Sequence, residues 1–521
     1  MFGDLRKWRL LTCFTLVAFI TGCGMDGGCD GGAMGPMGGM NGGDGGDGGD
    51  NGGGGETVPI SQSLAPAADS LDADDAYHLL RRAALTGKPE DVQRAVNDGL
   101  TATIDRLMTR SDVPSDIMDL AESYEDDMPK RWLVELLEGP NPLHERMTMF
   151  WHDRFATSRR VVDGRDDPLA ITHLEMLREN ALGNYRLFLQ ELTLDPLMLV
   201  WLDGGDSPKD NPNENYTREF WELFTLGRDV LYTEDDIKEG ARAFTGTLLI
   251  RNDNDPLRPV FDIFNHDETD KNIFPSRAQP ANYNFESIID LTLAQPEAAE
   301  YVARNLFEYF VHPNPSDRTV RELADQFVAA DFEIAPIVRT LLMSEAFFSD
   351  EARHTHVATP VEHFLMFART LDMHMESEDS QGFIFNRLSD DLRDAGQELM
   401  NPPGVEGWTE GEAWLEDQWV LNRVDALGRF MEFGPERETD LPYHLLPPVN
   451  TWDDRSIRRD LVLTMADIFH LDLTEDEIDI YIEVLDQNGF LAFHLEDTED
   501  QPRHVREMIR LMAMDDRFIG F

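Results

Sequence analysis

From about Leu71 onward, apolar residues return at three- and four-residue spacing in one segment after another, and this period limits the fold more than any other feature. Stretches such as DAYHLLRRAAL, PKRWLVELLEG, PLHERMTMFWHDRFA and PVEHFLMFARTL place their large side chains along one helical face. Proline stands near several starts and glycine near several ends. Strand signals are sparse. The best pair, GTLLIRN and RPVFDIFN around a DNDP turn, predicts one small hairpin. No fixed-period repeat is evident, which argues against a solenoid. The expected fold is therefore mainly α: a multi-helical globular domain with a small β-hairpin insertion, preceded by a disordered Gly/Asp-rich tether. All three cysteines, Cys13, Cys23 and Cys29, precede the helical region. Neither a disulfide nor a cysteine-type zinc site can staple such a fold, so packing must stabilise it.

The first residues read as a targeting segment. Arg6, Lys7 and Arg9 precede the apolar run LLTCFTLVAFI, which is too short to span a bilayer and of the right length for a signal-peptide core. Thr21 and Gly22 are small, and Cys23 supplies a thiol resembling the acceptor of a bacterial lipoprotein signal. Four regions follow: 1–22 signal peptide, 23–70 lipidated Cys23 and flexible linker, 71–434 helical core, 435–521 C-terminal helical segment. A diacyl anchor on Cys23 partitions into membrane far more strongly than a single chain. The expected location is extracytoplasmic on a bacterial membrane, and Gly24 in place of an aspartate leans toward the outer membrane. The linker GMDGGCDGG through DNGGGGE maximises chain entropy. Its GGD units lack the apolar position of calcium-binding β-roll repeats.

Charge narrows the partners. The chain has 100 acidic against 45 basic side chains, a net charge of −55, and only six of the basic residues are lysine. Such a surface repels phosphate backbones and anionic headgroups, which excludes nucleic acid as a partner. A salty habitat that screens self-repulsion, or an ordinary acidic exported protein, accounts equally for this balance.

The segment NPNENYTREFWELFTLG predicts a helix with Asn213 or Asn215 as its cap and Gly227 as its stop. At 100° per residue, Tyr216, Phe220, Leu223 and Phe224 form one stripe, and Asn215, Arg218, Glu219 and Glu222 fill the adjoining arc. Trp221 then projects opposite the stripe, and Leu226 points into the charged arc. A helix apolar on several sides tends to be buried, and buried carboxylates need partners; Arg218 is four residues from both Glu214 and Glu222. A structural ion-pair lattice and a ligand, metal or catalytic pocket both fit this pattern.

Two further segments carry candidate chemistry. In HERMTMFWHDRFATS, Glu145, Thr148 and His152 share one side, and His152 reads either as a hydrogen-bonded packing residue or as a ligand or proton shuttle. In FNHDETDKNIF, His266, Asp267 and Lys271 can reach an anionic or hydroxylated ligand, or form a solvated turn. Two Gly/Pro/Asn-rich loops, DGGDSPKDNPNEN with Asp203 and LMNPPGVEGWTEGEAWL with Trp408, turn the chain or wall a site. HExxH, GxSxG, phosphate-loop and dinucleotide signatures are all missing from the sequence.

These segments, in this order, resemble the bacterial family catalogued as domain of unknown function 1800. HLLRRAALTGKPEDV, MTMFWHDRFATS, NPNENYTREFWELFTLG, NHDETDKNIF and NPPGVEGWTEGEAWL carry the resemblance, which spans about Asp75 to Phe430. It implies an exported helical protein with no settled activity, and an exported protein of the family domain of unknown function 1501 as a partner. The family pattern falls on His152, Asp203, Asn213, Glu214, Asn215, Arg218, Glu219, Glu222, His266, Asp267, Lys271 and Trp408. The family commonly has a second histidine where this chain has Arg154, which weakens a two-histidine metal site. Residues from about Pro435 are less clearly matched and read as an appended segment.

The resulting expectation is a polar cleft between the Glu214–Glu222 helix and the His152 helix. Glu214, Glu219, Glu222, Arg218 and His152 would carry catalysis, with Asn213, Asn215, Asp203, His266, Asp267, Lys271 and Trp408 binding. A divalent cation, calcium or magnesium, would suit Glu219, Glu222 and His152. The competing expectation is a non-catalytic assembly protein whose charged helix is a salt-bridge lattice.

Overall fold

Short polar side chains set the helix boundaries. Asp72, Asn184, Asp195, Asn213, Thr233, Asn284, Ser316 and Thr359 each accept a backbone N–H at a helix start, a contact typically worth about 1 kcal/mol. Proline occupies the first turn of the helices Pro142–Arg154, Pro196–Trp201, Pro296–Phe310 and Pro360–Thr370, where its missing N–H costs nothing.

The computed structural model describes residues 58–123, 128–162, 168–251, 255–353, 355–374, 388–433, 455–487 and 508–520. The predicted signal peptide, Cys23 and the linker through Thr57 lie outside them, as does part of the DNDP turn. Among the described residues the architecture is helical, with one sheet: β1 (Thr247–Ile250) antiparallel to β2 (Arg258–Phe261), Thr247 opposite Phe261. No described helix is long and apolar enough to cross a membrane.

The helix Pro142–Arg154 lies at the centre. Every residue from Leu143 to His152 is buried. Leu143, Met147, Phe150 and Trp151 enter a core shared with Phe188, Phe220, Phe307 and Leu341, whereas Met149 enters a second core with Trp132, Phe364 and Phe367. A helix submerged on all sides must find partners for its polar residues. Glu145 accepts from Trp132 Nε1 (2.8 Å) and Arg178 Nε (2.5 Å), and Arg146 donates to Glu362 (2.6 Å).

Two expected boundaries move. The folded unit starts at Val58 rather than Leu71. Ser61 and Leu64 are buried, the Ser61 carbonyl bonds His312 Nε2 (2.9 Å), and Ala67 N–H donates to Met343 C=O (2.8 Å). A strip that opens with a single 3-10 turn, Ile60–Gln62, and buries isolated residues leaves no periodic signal. The C-terminal segment is not an appendage either. Phe469, Ile478, Met512 and Phe518 build the second core with Trp132 and Phe364. Ala358 N–H donates to Ile519 C=O (2.9 Å), and His363 Nε2 bonds the Ala513 carbonyl (2.7 Å).

Candidate functional site

The motif helix starts as the spacing predicts: Asn213 Oδ1 accepts Asn215 N–H at 2.8 Å, and Asn213 Nδ2 donates to the Asp203 carbonyl. After the α-turns Glu214–Glu219 the backbone widens into a π-helix, Phe220–Thr225, and stops at Gly227 with φ +90°. Leu226 and Gly227 N–H both reach back to the Trp221 carbonyl (2.9 and 3.0 Å). Trp221 and Leu226 are buried, as expected of a helix apolar on several sides, and the wider turns alter the 100° step beyond Phe220. Trp221 stacks on Tyr232 (5.6 Å) and its Nε1 donates to Thr292 Oγ1 (3.1 Å). The displaced carbonyls of Leu223 and Phe224 accept the hydroxyls of Tyr301 (2.6 Å) and Tyr185. π-turns are rare and concentrate at functional sites.

Most charges on this helix close on protein groups. Arg218 makes a two-pronged bond to Glu234 (2.9 Å each), with Glu222 at 3.7 Å and Glu214 at 3.9 Å. Glu222 also lies 3.4 Å from Arg228, which continues to Glu406 at 2.5 Å. Glu234 and Glu406 lie outside the motif, so helical spacing could not reveal them. Glu219 differs: among the described residues it makes neither an ion pair nor a hydrogen bond. Half-buried, its carboxyl is pushed up by burial and then by Glu222, against the pull of Arg228 and Arg218.

An open cleft of about 690 Å³ lies at the head of the helix, lined by Asp203, Asp206, Asn211, Asn213 and Glu214 together with Leu199 and Leu249. Among the described residues no basic side chain lines it. Asn215 beside it is exposed.

The His152 helix does not face that cleft. The imidazole is fully buried, edge-on to Trp132 (5.3 Å) and Trp408 (5.2 Å), and its Nε2 accepts Met400 N–H at 3.1 Å. Burial holds its pKa down at about 3, so the ring is neutral. A neutral ring that accepts at Nε2 carries its proton on Nδ1, which is buried without a hydrogen-bond partner among the described residues, so in this state His152 offers no lone pair to a metal beside Glu219 and Glu222. Among the described residues no three His, Cys, Asp or Glu side chains are placed to hold a metal ion.

His152 instead begins a clamp. Asp153 Oδ1 accepts Trp408 N–H (2.9 Å), and Arg154 pairs with Glu410 (2.6 Å). Three consecutive residues thus fasten the loop from Met400 to Glu410, whose Gly407 takes φ +81° against Asp153, where a Cβ would collide. Burial pushes the Asp153 carboxyl up to about 7. Trp408 is a packing neighbour of His152, and Arg154 is an ion-pair residue.

The segment at the foot of the hairpin is equally closed. His266 Nδ1 bonds the Thr245 carbonyl (2.8 Å), and Asp267 accepts from Arg242 Nε (2.7 Å). Burial opposes the Asp267 charge, but Arg242 and Thr269 outweigh it and hold the carboxyl well below the usual range. Lys271 is fully buried, donating to Asn282 Oδ1 (2.7 Å) and the Asp267 carbonyl, and burial lowers its pKa to about 8. These residues knot the chain and do not converge on the cleft lining.

Sequence reasoning missed a hydroxyl–imidazole–carboxylate series. Thr157 Oγ1 lies 3.0 Å from His173 Nε2, and His173 Nδ1 lies 2.8 Å from Asp195 Oδ1. All three are buried, Thr157 completely, so no substrate reaches the hydroxyl and the series ties helices together.

A family model described as "Protein of unknown function (DUF1800)" matches residues 78–512. That match runs through the C-terminal region which the sequence motifs left aside. No curated protein and no solved structure matches the chain.

Proposed function

The chain belongs to the DUF1800 family of proteins of unknown function, and from that premise we propose that it is a lipid-anchored, extracytoplasmic ligand-binding protein. The observation that carries this reading is the cleft at the head of the motif helix, where Asp203, Asn213 and Glu214 join Asp206 and Asn211. Its volume falls within the range of small-ligand sites. A lining of carboxylates and amides, with Arg218 turned mainly to Glu234 and 3.9 Å from Glu214, favours a cationic or hydroxyl-rich ligand over an anionic one. The apolar run before Cys23 supports the anchor, and the family resemblance supports an exported partner of the domain of unknown function 1501 type. A catalytic version, hydrolysis of an extracellular polymer or ester, would use Glu219 to exchange the proton, since its carboxyl lacks an ion-pair partner while Glu222 faces two arginines.

Calorimetric titration with polyamines and neutral oligosaccharides tests the reading. Asp203→Asn with Glu214→Gln is expected to weaken binding roughly tenfold, about 1.4 kcal/mol, at an unchanged melting temperature. Equal affinity in the variant rejects the cleft. Metabolic labelling with a radioactive fatty acid, lost in Cys23→Ser, tests the anchor.

A second reading, a structural lattice, is favoured by the two-pronged Arg218–Glu234 bond. Glu222→Gln, in the ion-pair lattice, and Asp203→Asn, in the cleft, separate the two: lost stability without altered binding supports the lattice, whereas retained folding with lost binding supports the site.

A further inference from the structure

At the last residue of β2 and in the turn that follows it, Phe261, Ile263 and Phe264 are 44%, 54% and 82% exposed. Single exposed apolar residues are unremarkable, but three within four consecutive positions form a patch of the kind that marks contact with another molecule. The turn beneath them is rigidly built. Asp262 Oδ1 accepts Phe264 N–H (2.9 Å), Asp262 Oδ2 accepts Asn265 Nδ2–H (2.7 Å), and Asn265 N–H returns to the Asp262 carbonyl (3.0 Å). The Phe261 ring packs on His266, itself tied to Thr245. Because these bonds already fix the turn, presenting Phe264 to a partner costs little ordering entropy, the property of an interface anchor.

The patch and the acidic cleft are built from the same two stretches of chain. Asn265 C=O accepts Lys209 N–H (2.9 Å), Gly246 N–H donates to Ser207 C=O (3.0 Å), and Leu249 N–H donates to Gly205 C=O (2.9 Å). Leu249 and Asp206 both line the cleft. An occupant of the patch therefore meets Asp203, Asp206 and Glu214 alongside. An anionic surface would be repelled, and a neutral bilayer would strip water from those carboxylates without replacing it. A polypeptide carrying both cations and apolar side chains satisfies both halves. We propose that the hairpin knuckle and the adjoining cleft form one docking surface for a basic, amphipathic polypeptide segment. Its apolar side chains pack on Phe261, Ile263 and Phe264 while its lysines or arginines enter the cleft. This deepens the cleft reading above and rests on it.

The test uses the full chain carrying Cys23→Ser, which removes any acyl anchor, and two fluorescent peptides of equal length and charge, alternating Lys-Leu and alternating Lys-Ser. The Lys-Leu peptide is expected to bind roughly tenfold tighter. Ile263→Ser with Phe264→Ser should erase that preference and leave Lys-Ser binding intact. Asp203→Asn with Glu214→Gln should weaken both peptides about tenfold, although it removes only two of 100 acidic side chains; a bulk attraction to net charge would scarcely register the change. If the two peptides bind equally and the cleft variant weakens both, the docking surface is overturned and the cleft stands. If the cleft variant weakens neither, both readings fall. Sedimentation with phosphatidylcholine vesicles that is lost in the knuckle variant would make a lipid surface the occupant and overturn the proposal.

Discussion

Arg218 on the motif helix and Arg146 in the His152 helix each hold a glutamate, in opposite surroundings. Arg218 and Glu234 share two bonds of 2.9 Å with side chains 33% and 67% exposed, whereas Arg146 and Glu362 share one of 2.6 Å at 0% and 1%. By geometry the surface pair is the better one. Energetically the buried pair matters more, because water screens the first, and loss of either buried partner strands a charge. Glu362 is fully provided for: its second oxygen accepts from Thr359 N–H (2.9 Å) and lies 2.7 Å from His356 Nε2. Burial opposes its charge, but Arg146 and His356 prevail and hold the carboxyl well below the usual range. His356 is pushed down to about 4 by burial despite that neighbour. The charges most conspicuous in the sequence are thus loosely held, and inconspicuous ones secure the fold.

The largest test of this contrast is Glu362→Gln, expected to cost about 3–5 kcal/mol in urea unfolding at neutral pH. The folded carboxyl titrates below its unfolded value, so its contribution is present above the ordinary carboxylate range and lost in acid; variant and wild type should converge there. A neutral-pH loss under about 1 kcal/mol would place this pair with its surface counterpart.

Asp153→Asn should have the opposite sign. Its carboxyl is raised to about 7 from 3.8, so its contribution is greatest in acid and lost as pH rises through about 7. The asparagine variant should gain nothing below the ordinary carboxylate value of 3.8, progressively more as pH rises towards about 7, and on the order of a few kcal/mol above neutrality. Chemical denaturation across pH measures both limbs, and a variant less stable at alkaline pH contradicts the assignment. Thr157→Val should cost about 1–2 kcal/mol by leaving His173 Nε2 unpaired, read as a lowered melting temperature. Smallest is Glu234→Gln, expected to leave urea unfolding nearly unchanged and to lose even that small effect in high salt. A salt-independent effect would show that the surface pair is less screened than its exposure implies.

The helical class, the hairpin, the Asn213 cap and the Gly227 stop were legible because each is written in local spacing. Asp203, Asn213 and Glu214 were legible as polar residues flanking one helix start, and they meet in the cleft. The π-turn was not: residues 220–225 read as ordinary helix until backbone bonds are seen. Nor were the partners of His152 and Arg146, which lie 248 and 216 residues away. No periodicity connects such positions, and only the folded chain brings Met400 to one and Glu362 to the other.

The strip that opens the folded unit is held bond by bond. Ser61 C=O meets His312, Gln62 Oε1 accepts Ser316 N–H, Ser63 C=O accepts Ala346 N–H, Ala65 C=O accepts Glu345 N–H, and Ala67 N–H reaches Met343. A mechanical pull arriving through the preceding residues loads these contacts in succession, starting at Ser61. Each contact carries only one or two hydrogen bonds, so releasing the strip does not require any helix behind it to unwind.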